Sequence, residues 1–534
     1  MARILVVEPV AQPGLDVLST AHETEIRLGL SRDELLELLN DGAGWDALVV
    51  RSQTKVDAEL LVAGAPRLSI VGVASVGTDR IDVDAATRAG VMIVNAPTGN
   101  TIAAAEHTLA LMLALLRHIP AANGSVVRGE WERGRYTGRE LRGKTLGIIG
   151  LGKIGKAVAR RVAGFEMRVI ASDPYLTEEQ AAEAGAKLVG FAELLHRSDV
   201  ITVHTPLTSQ TRGLIGRAQL EATRPGTFLL NVARGGIVDE PALADALSSG
   251  QLAGAAVDVY SAEPMSADNP LRTAPNLVLT PHLGASTAEA QDRVGLEMAE
   301  QVVMALGGVT PPYAVNAPSV AAETAPKLRP YVELGRRLAI LARQLAPGAF
   351  DALSLTYAGE IAAGECGPIR TAALAGLLEA VTDQRVNAVN ADLVARERGL
   401  TVRETRTDAS EPWASLVELA VGPADGDALL TLAGSTAHGR PHLASVNGFE
   451  IDAELAGMIL VTRHRDRPGV VGFVGTVLAE AGINISSLEL SRLSVHGEAM
   501  MFVSVDESVP APVIARLAGE SGIELALQIV LPHA

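Results

Sequence analysis

Thr145-Leu-Gly-Ile-Ile149-Gly150-Leu-Gly152-Lys153-Ile154-Gly155-Lys-Ala-Val-Ala159 decides the fold. An apolar, β-branched run ends in a glycine-rich turn, and an alanine-rich helical stretch follows without a gap. Three glycines at this spacing allow a tight turn, close approach of the backbone to a pyrophosphate, and close helix–strand packing, while the helix N-terminus faces the anion. The spacing predicts a strand over 145–149 and a helix over 156–163. Asp173 stands 18 residues beyond Gly155, at the end of the next predicted strand, where a carboxylate accepts hydrogen bonds from a ribose diol. An acid there favours NAD over NADP, and Pro174 and Tyr175 supply no cation to reverse the preference.

Working outward, β-branched runs alternate with helical stretches on both sides of this turn, as parallel α/β sheets require. One series comprises residues 4–7, 47–50, 70–73 and 91–94. A second comprises 145–149, 168–171, 200–203, 227–231, 254–257 and 277–280. The glycine turn opens the second series, so a Rossmann-type doubly wound sheet is expected as an insertion in another α/β domain. The expected division is 1–97 with 285–316 for the outer domain and 98–284 for the inserted one. Prolines and glycines between Gly307 and Pro318 then break the chain. Residues 317–455 are expected to form a mixed α+β domain. The tail, 456–534, has the order βαββαβ of a ferredoxin-like unit.

The 534 residues suit three to four domains. The net charge of −17 disfavours non-specific binding of nucleic acid, so an anionic ligand needs local arginines. Cys366 is the only cysteine, which excludes a disulfide framework within the chain and a Cys-cluster metal site. The N-terminal apolar run ends at Glu8, too short for a signal-peptide core, and the apolar stretch 108–116 is about half of the roughly 20 residues that cross a bilayer. The expectation is a cytoplasmic protein without metal, membrane or nucleic-acid partners.

Three predicted strands of the second series end in chemistry-bearing loops. Pro281-His282-Leu-Gly284 places a histidine at the carboxyl edge of the sheet, the ligand-binding edge of doubly wound folds, and histidine titrates in the range that proton transfer needs. Glu263, in Asp258-Val-Tyr-Ser-Ala-Glu263-Pro264, is placed to hold that imidazole and raise its pKa. Arg234, in Asn231-Val-Ala233-Arg234, offers a planar fork for a carboxylate. His107 and His204 compete as bases. His107 falls in an apolar helix and is expected to be packed, whereas His204, before Thr205-Pro206, is expected to line a cofactor.

The Gly150–Gly155 turn, Asn231-Val-Ala-Arg-Gly-Gly-Ile-Val-Asp, Asp258-Val-Tyr-Ser-Ala-Glu-Pro and Pro281-His-Leu-Gly-Ala-Ser-Thr together resemble the D-2-hydroxyacid dehydrogenase family. The whole chain resembles that family's long D-3-phosphoglycerate dehydrogenase branch. The resemblance implies NAD-dependent oxidation of D-3-phosphoglycerate to 3-phosphooxypyruvate, the first step of L-serine synthesis, or of another 2-hydroxy acid such as D-2-hydroxyglutarate or glycerate. It implies a flavodoxin-like substrate domain, an intervening regulatory domain and an ACT domain. Arg234, Glu263 and His282 match catalytic positions. Lys153, Ile154, Asp173, Thr205, Ala233, Asp258 and Thr101 match contacts to NAD, and Gly150, Gly152, Gly155, His204, Pro206 and Gly284 are expected beside it.

Arg51 and Asn100 match substrate contacts, and the turn Ser75-Val76-Gly77 can offer amides to the substrate carboxylate. Where many members carry an arginine this sequence has Val73, and where others carry a second it has Gln53. A second phosphate cation is therefore expected from elsewhere, from Arg133, Arg135 or Arg139, near Trp131, of the same chain or of a partner subunit. In the tail, His464, Asp466 and Asn484 match positions that hold an amino-acid effector, usually L-serine, between paired ACT domains. A homodimer or homotetramer is implied by resemblance only.

Overall fold

The computed structural model describes residues 1–320, 324–348, 350–379, 381–382, 385–409 and 412–532. Strands β1 (Arg3–Val6), β2 (Glu23–Ile26), β3 (Ala47–Val50), β4 (Ile70–Val73) and β5 (Met92–Asn95) form a parallel sheet in the order β2-β1-β3-β4-β5. This is the flavodoxin-like order. β1, β3, β4 and β5 are the β-branched runs of the first series, buried by helices on both faces as parallel strands must be. β2 (Glu-Thr-Glu-Ile) is an edge strand with little buried surface, and its polar sequence hid it.

The second sheet is also parallel: β6 (Thr145–Ile149), β7 (Arg168–Ser172), β8 (Lys187–Leu188), β9 (Val200–Val203), β10 (Thr227–Asn231), β11 (Leu252–Val257) and β12 (Leu277–Leu279). Its order, β12-β11-β10-β9-β6-β7-β8, reverses direction beside β6, which puts the glycine turn at the topological switch point. The helix after that turn spans Lys153–Val162, starting earlier than its composition suggested because Gly152 is its N-cap.

The apolar stretch at 108–116 lies within a longer helix, Thr101–Leu116, which packs on Lys153–Val162. Among the described residues no single helix is long and apolar enough to cross a membrane. This helix and the next pass that test only as a pair bent by 61°. Helix Ala288–Leu306 returns to the first sheet, where Val294, Met298, Ala299 and Val302 join the core of β1, β3, β4 and β5.

Two crossings join the sheets, at 96–100 and 285–294. Glu297 clamps the first by accepting hydrogen bonds from Thr98 N at 3.2 Å, Thr98 Oγ1 at 2.5 Å and Gly99 N at 3.0 Å.

Beyond residue 324, helices Ala325–Leu345 and Gly367–Leu378 pack together against a six-stranded sheet. Its strands are β13 (Ala352–Gly359), β14 (Thr401–Thr407), β15 (Ser415–Gly422), β16 (Leu430–Ala437), β17 (Arg440–Val446) and β18 (Phe449–Glu454), in the order β14-β13-β15-β16-β17-β18.

The tail contains β19 (Met458–Arg465), helix Val470–Glu480, β20 (Ile485–Arg492), β21 (Glu498–Val505), helix Ala511–Ala518 and β22 (Ile523–Val530). Its sheet is antiparallel, in the order β20-β21-β19-β22. One face of that sheet carries the two helices. The other, with Ile459, Val461, Phe502 and Ile529, shares a core with helix Ala325–Leu345.

Candidate active site

The carboxyl edges of the two parallel sheets face one another across a cleft of about 340 Å³. Loops after β3, β4, β10, β11 and β12 line it, together with Asn100 at the crossing. His282, Glu263, Arg234, Arg51, Ser75, Val76 and Gly77 all line this one space.

His282 follows β12 with a left-handed backbone (φ 57°), which turns its ring into the cleft. Its Nδ1 lies 2.8 Å from Glu263 Oε2, and Glu263 Oε1 accepts from Tyr260 N at 3.0 Å. The Glu263 carboxylate raises the pKa of His282 above that of an ordinary imidazole, outweighing the opposite effect of burial. With Nδ1 engaged, Nε2 is the ring atom left to exchange a proton with a ligand.

Both loops rest on buried carboxylates, Asp258 and Glu240. Asp258 is fully buried and accepts from Thr280 Oγ1 at 2.5 Å, Leu283 N at 2.8 Å and Gly284 N at 2.9 Å, with His107 Nε2 at 3.2 Å. Asp258 was expected to touch NAD. In this structure its oxygens are already occupied, and they shape the His282 loop from beneath. Burial would raise the pKa of Asp258, but hydrogen bonds from His107, Thr280 and Leu283 hold it low. Glu240, also buried, accepts from Ser261 N and Oγ and from Asn269 Nδ2, fixing the loop that carries Glu263.

Arg234 extends from the turn after β10. Asn231 ties that turn together, its Nδ2 donating to Arg234 O and its Oδ1 accepting from Ala233 N. The guanidinium reaches across the cleft, and its Nε lies 3.3 Å from Asp79 Oδ2 on the loop after β4.

On the opposite wall, buried Glu8 accepts from the amides of Ser52, Gln53 and Thr54, which cages the loop bearing Arg51. Burial would raise the Glu8 pKa, yet these backbone hydrogen bonds hold it below the usual carboxylate range. In the turn after β4, Asn95 Nδ2 donates to Val76 O and Ser75 Oγ to Gly77 O. The amides of Val76, Gly77 and Thr78 have no hydrogen-bond partner among the described residues, and they form a concave donor set for an anion.

Asn100 precedes helix Thr101–Leu116 without capping it through its side chain, and its buried Oδ1 has no hydrogen-bond partner among the described residues. Within one chain, the arginines expected to help with phosphate do not line its own cleft. Arg133 and Arg135 sit in an exposed turn, Arg135 beside Glu132. Arg139 packs over Phe228 and donates to Gly226 O, at the amino edge of the sheet. Trp131 is exposed and away from the cleft. A further arginine that does line the cleft is Arg80, in the loop after β4.

A second groove, of about 950 Å³, runs along the switch point and is lined by Gly150, Gly152, Asp173, His204, Thr205 and Pro206. Gly150 has φ 89°, and a Cβ there would sit 2.7 Å from Thr205. A Cβ on Gly155 would strike Gly150 O at 2.3 Å, whereas one on Gly152 would meet nothing within 4 Å. The turn is therefore tight on its protein side and open on its groove side.

Asp173 accepts from Leu151 N at 2.9 Å and Tyr175 N at 3.0 Å. Thr205 Oγ1 and His204 Nδ1 are buried without hydrogen-bond partners among the described residues, so the groove keeps polar atoms for a ligand, as a dinucleotide requires. Burial lowers the pKa of His204 to about 4, which leaves a neutral lining group rather than a base. Lys153 and Ile154 open the helix, where Lys153 Nζ stands 5.2 Å from the Tyr313 ring. Ala233 and Gly284 are buried, Thr101 opens helix Thr101–Leu116, and none of the three is among the residues lining the groove or the cleft.

The tail residues are separated. His464 is buried on the helix-bearing face, 3.2 Å from Thr462 Oγ1, and burial lowers its pKa, so its ring is not open to an effector. Asp466 contacts Arg492 Nη1 at 2.8 Å and His496 N at 3.0 Å, beyond the last residue of β19. Asn484 bonds Asp506 and Glu507, beside the first residue of β19. The eight residues of β19 therefore lie between Asp466 and Asn484 within one chain.

Comparison with known proteins places these features. Residues 109–284 match the NAD binding domain of D-isomer specific 2-hydroxyacid dehydrogenases, 327–447 the D-3-phosphoglycerate dehydrogenase intervening domain, and 458–521 the ACT domain. The chain is 41% identical over 524 residues to a D-3-phosphoglycerate dehydrogenase of Archaeoglobus fulgidus, covering 98% of each. It is 42% identical over 519 residues to one of Mycobacterium tuberculosis, covering 96% of each. Among solved structures, a D-lactate dehydrogenase of Aquifex aeolicus complexed with NAD and lactic acid is 27% identical. That likeness has a TM-score of 0.51 and covers 57% of this chain and 96% of the other.

Proposed function

Because the chain belongs to the D-isomer specific 2-hydroxyacid dehydrogenase family, and within it to the D-3-phosphoglycerate dehydrogenases, we propose that it oxidises D-3-phosphoglycerate to 3-phosphooxypyruvate, the first step towards L-serine. It is an NAD-dependent oxidoreductase. The observation that supports the substrate chemistry best is the convergence of the His282–Glu263 pair, Arg234 and the Arg51 loop on one cleft.

Bound NAD supplies the hydride acceptor, and the glycine turn, Asp173 and Thr205 are the residues to hold it. His282 Nε2 takes the hydroxyl proton, and the Glu263 carboxylate offsets the charge that develops on the ring. Arg234 grips the substrate carboxylate and stabilises charge on the forming carbonyl oxygen, with the amides of Val76, Gly77 and Thr78 as further donors. Arg51 faces the phosphate.

Residues 1–97 with 285–316 serve as the substrate domain, 98–284 as the NAD domain, 317–455 as an intervening regulatory domain and 456–534 as the ACT domain. The separation of Asp466 from Asn484 supports an effector site shared by two copies, in a homodimer or homotetramer, with L-serine as the effector.

The test is the initial rate of NADH formation with D-3-phosphoglycerate against D-glycerate and D-2-hydroxyglutarate at equal concentration. Preference for the phosphorylated acid is expected. Equal or reversed rates would overturn the substrate assignment and leave an NAD-dependent dehydrogenase of an unphosphorylated 2-hydroxy acid.

A further inference from the structure

We propose that Arg80, together with Arg51, forms the cation pair that selects a phosphorylated substrate in this chain; the proposal rests on the substrate reading above. Six charged or titratable residues line the cleft: Arg51, Asp79, Arg80, Arg234, Glu263 and His282. Glu263 is engaged by His282, and Asp79 by Arg234. Neither Arg51 nor Arg80 uses its guanidinium in a hydrogen bond or ion pair among the described residues, so these two charges are the uncompensated ones.

The backbone fixes them on one wall. Val56 N donates to Arg80 O at 2.9 Å, Asp82 N donates to Val56 O at 2.8 Å, and Val56 pairs with Ile81 in a parallel bridge. The segment bearing Arg80 is thereby laced to the segment that follows Arg51. Glu8 holds the other end of that segment through the amides of Ser52, Gln53 and Thr54.

Two planar forks held on a common frame suit a phosphomonoester, which carries up to two charges and three acceptor oxygens. Arg234 and His282, on the opposite wall, are left for the carboxylate and the hydroxyl. Val73, buried at the end of β4, contributes no charge to the cleft, and Arg80 in the adjoining loop supplies it.

The experiment compares kcat/KM for D-3-phosphoglycerate and D-glycerate in the wild type, Arg80→Gln and Arg80→Lys, with inorganic phosphate as a competitive probe. Loss of one charge-assisted contact lowers the preference for the phosphorylated acid by about tenfold or more in Arg80→Gln. The loss is expected in KM, with partial recovery in Arg80→Lys and weaker inhibition by phosphate in Arg80→Gln. An unchanged preference in Arg80→Gln would overturn the proposal. Wild-type preference for D-glycerate would overturn the substrate reading instead, and phosphate then decides Arg80. Inhibition weakened in Arg80→Gln keeps the anion site, and equal inhibition in both proteins removes it.

Discussion

Arg234 Nε and Asp79 Oδ2 lie 3.3 Å apart across the cleft, so the guanidinium assigned to the substrate carboxylate already carries a carboxylate of its own chain. Asp79 is 61% exposed at its side chain and Arg234 28%, and such a pair is weak enough to exchange partners. The substrate has to displace Asp79. Asp79→Asn is therefore expected to lower KM by up to about fivefold, the range of an exposed ion pair, with kcat little changed. Steady-state kinetics check this, and a raised KM would show that Asp79 positions Arg234 rather than competing for it.

The His282–Glu263 contact sets a pH dependence whose sign is fixed. Oxidation needs the imidazole neutral, and Glu263 raises its pKa, so kcat/KM should rise with pH through a value above the ordinary histidine pKa of about 6.5. In Glu263→Gln the cause of the rise is removed while burial remains, which moves the ascending limb to lower pH. The maximal rate should also fall, by about a hundredfold or more if the pair acts as a general base. A pH–rate profile with its limb unmoved would reject the pairing.

Asp258 links the catalytic loop to stability. In Asp258→Asn the amide presents an NH2 group to at least one of the donors Thr280 Oγ1, Leu283 N and Gly284 N, leaving buried groups unpaired. The expected cost is about 3 kcal/mol or more, as for breaking other buried charged networks, read as a lowered thermal midpoint. The folded-state pKa of Asp258 is depressed, so its stabilisation is present above the unfolded carboxylate pKa of about 3.9 and is lost as pH falls through the lower folded value.

The series of buried strands was legible because parallel strands covered on both faces are written as continuous β-branched runs, and 200–203 and 227–231 match their runs residue for residue. The candidate catalytic residues His282, Glu263 and Arg234 were legible because each lies in a loop that follows such a run. What escaped was long-range. Glu8, Glu240 and Glu297 are ordinary acids in sequence, and only the fold brings each beside the amides it accepts from, 21 to 199 residues away. Arg80 escaped because its local setting, Gly77-Thr-Asp-Arg80, resembles a solvated turn. Arg139 lies in an arginine-rich stretch near the motif, and the fold carries it to the far edge of its own chain's sheet.

Glu8 also predicts an effect at a distance from the chemistry. Glu8→Gln leaves one carbonyl oxygen where two carboxylate oxygens serve three amides, so the loop bearing Arg51 loses its anchor. KM for the phosphorylated acid should rise more than kcat falls, because Arg51 binds rather than reacts. An equal fall of kcat with KM unchanged would place the effect of Glu8 on the catalytic loops instead.

The separation of Asp466 from Asn484 along β19 gives the effector proposal an unusual test. If L-serine binds where Asp466 of one copy meets Asn484 of another, each single variant, Asp466→Ala or Asn484→Ala, breaks every site in its own oligomer. When the two variants are co-expressed, a mixed pair of tails carries one site with both residues intact and one with both removed. Inhibition by serine, absent from each variant alone, should then return in part, to at most about half of the wild-type sites in each mixed pair. A site formed within a single chain, or one that uses neither residue, cannot behave this way, because mixing would leave every site as it was. Serine titration of the co-expressed protein therefore separates a shared site from a local one, and failure of inhibition to return would reject the shared site.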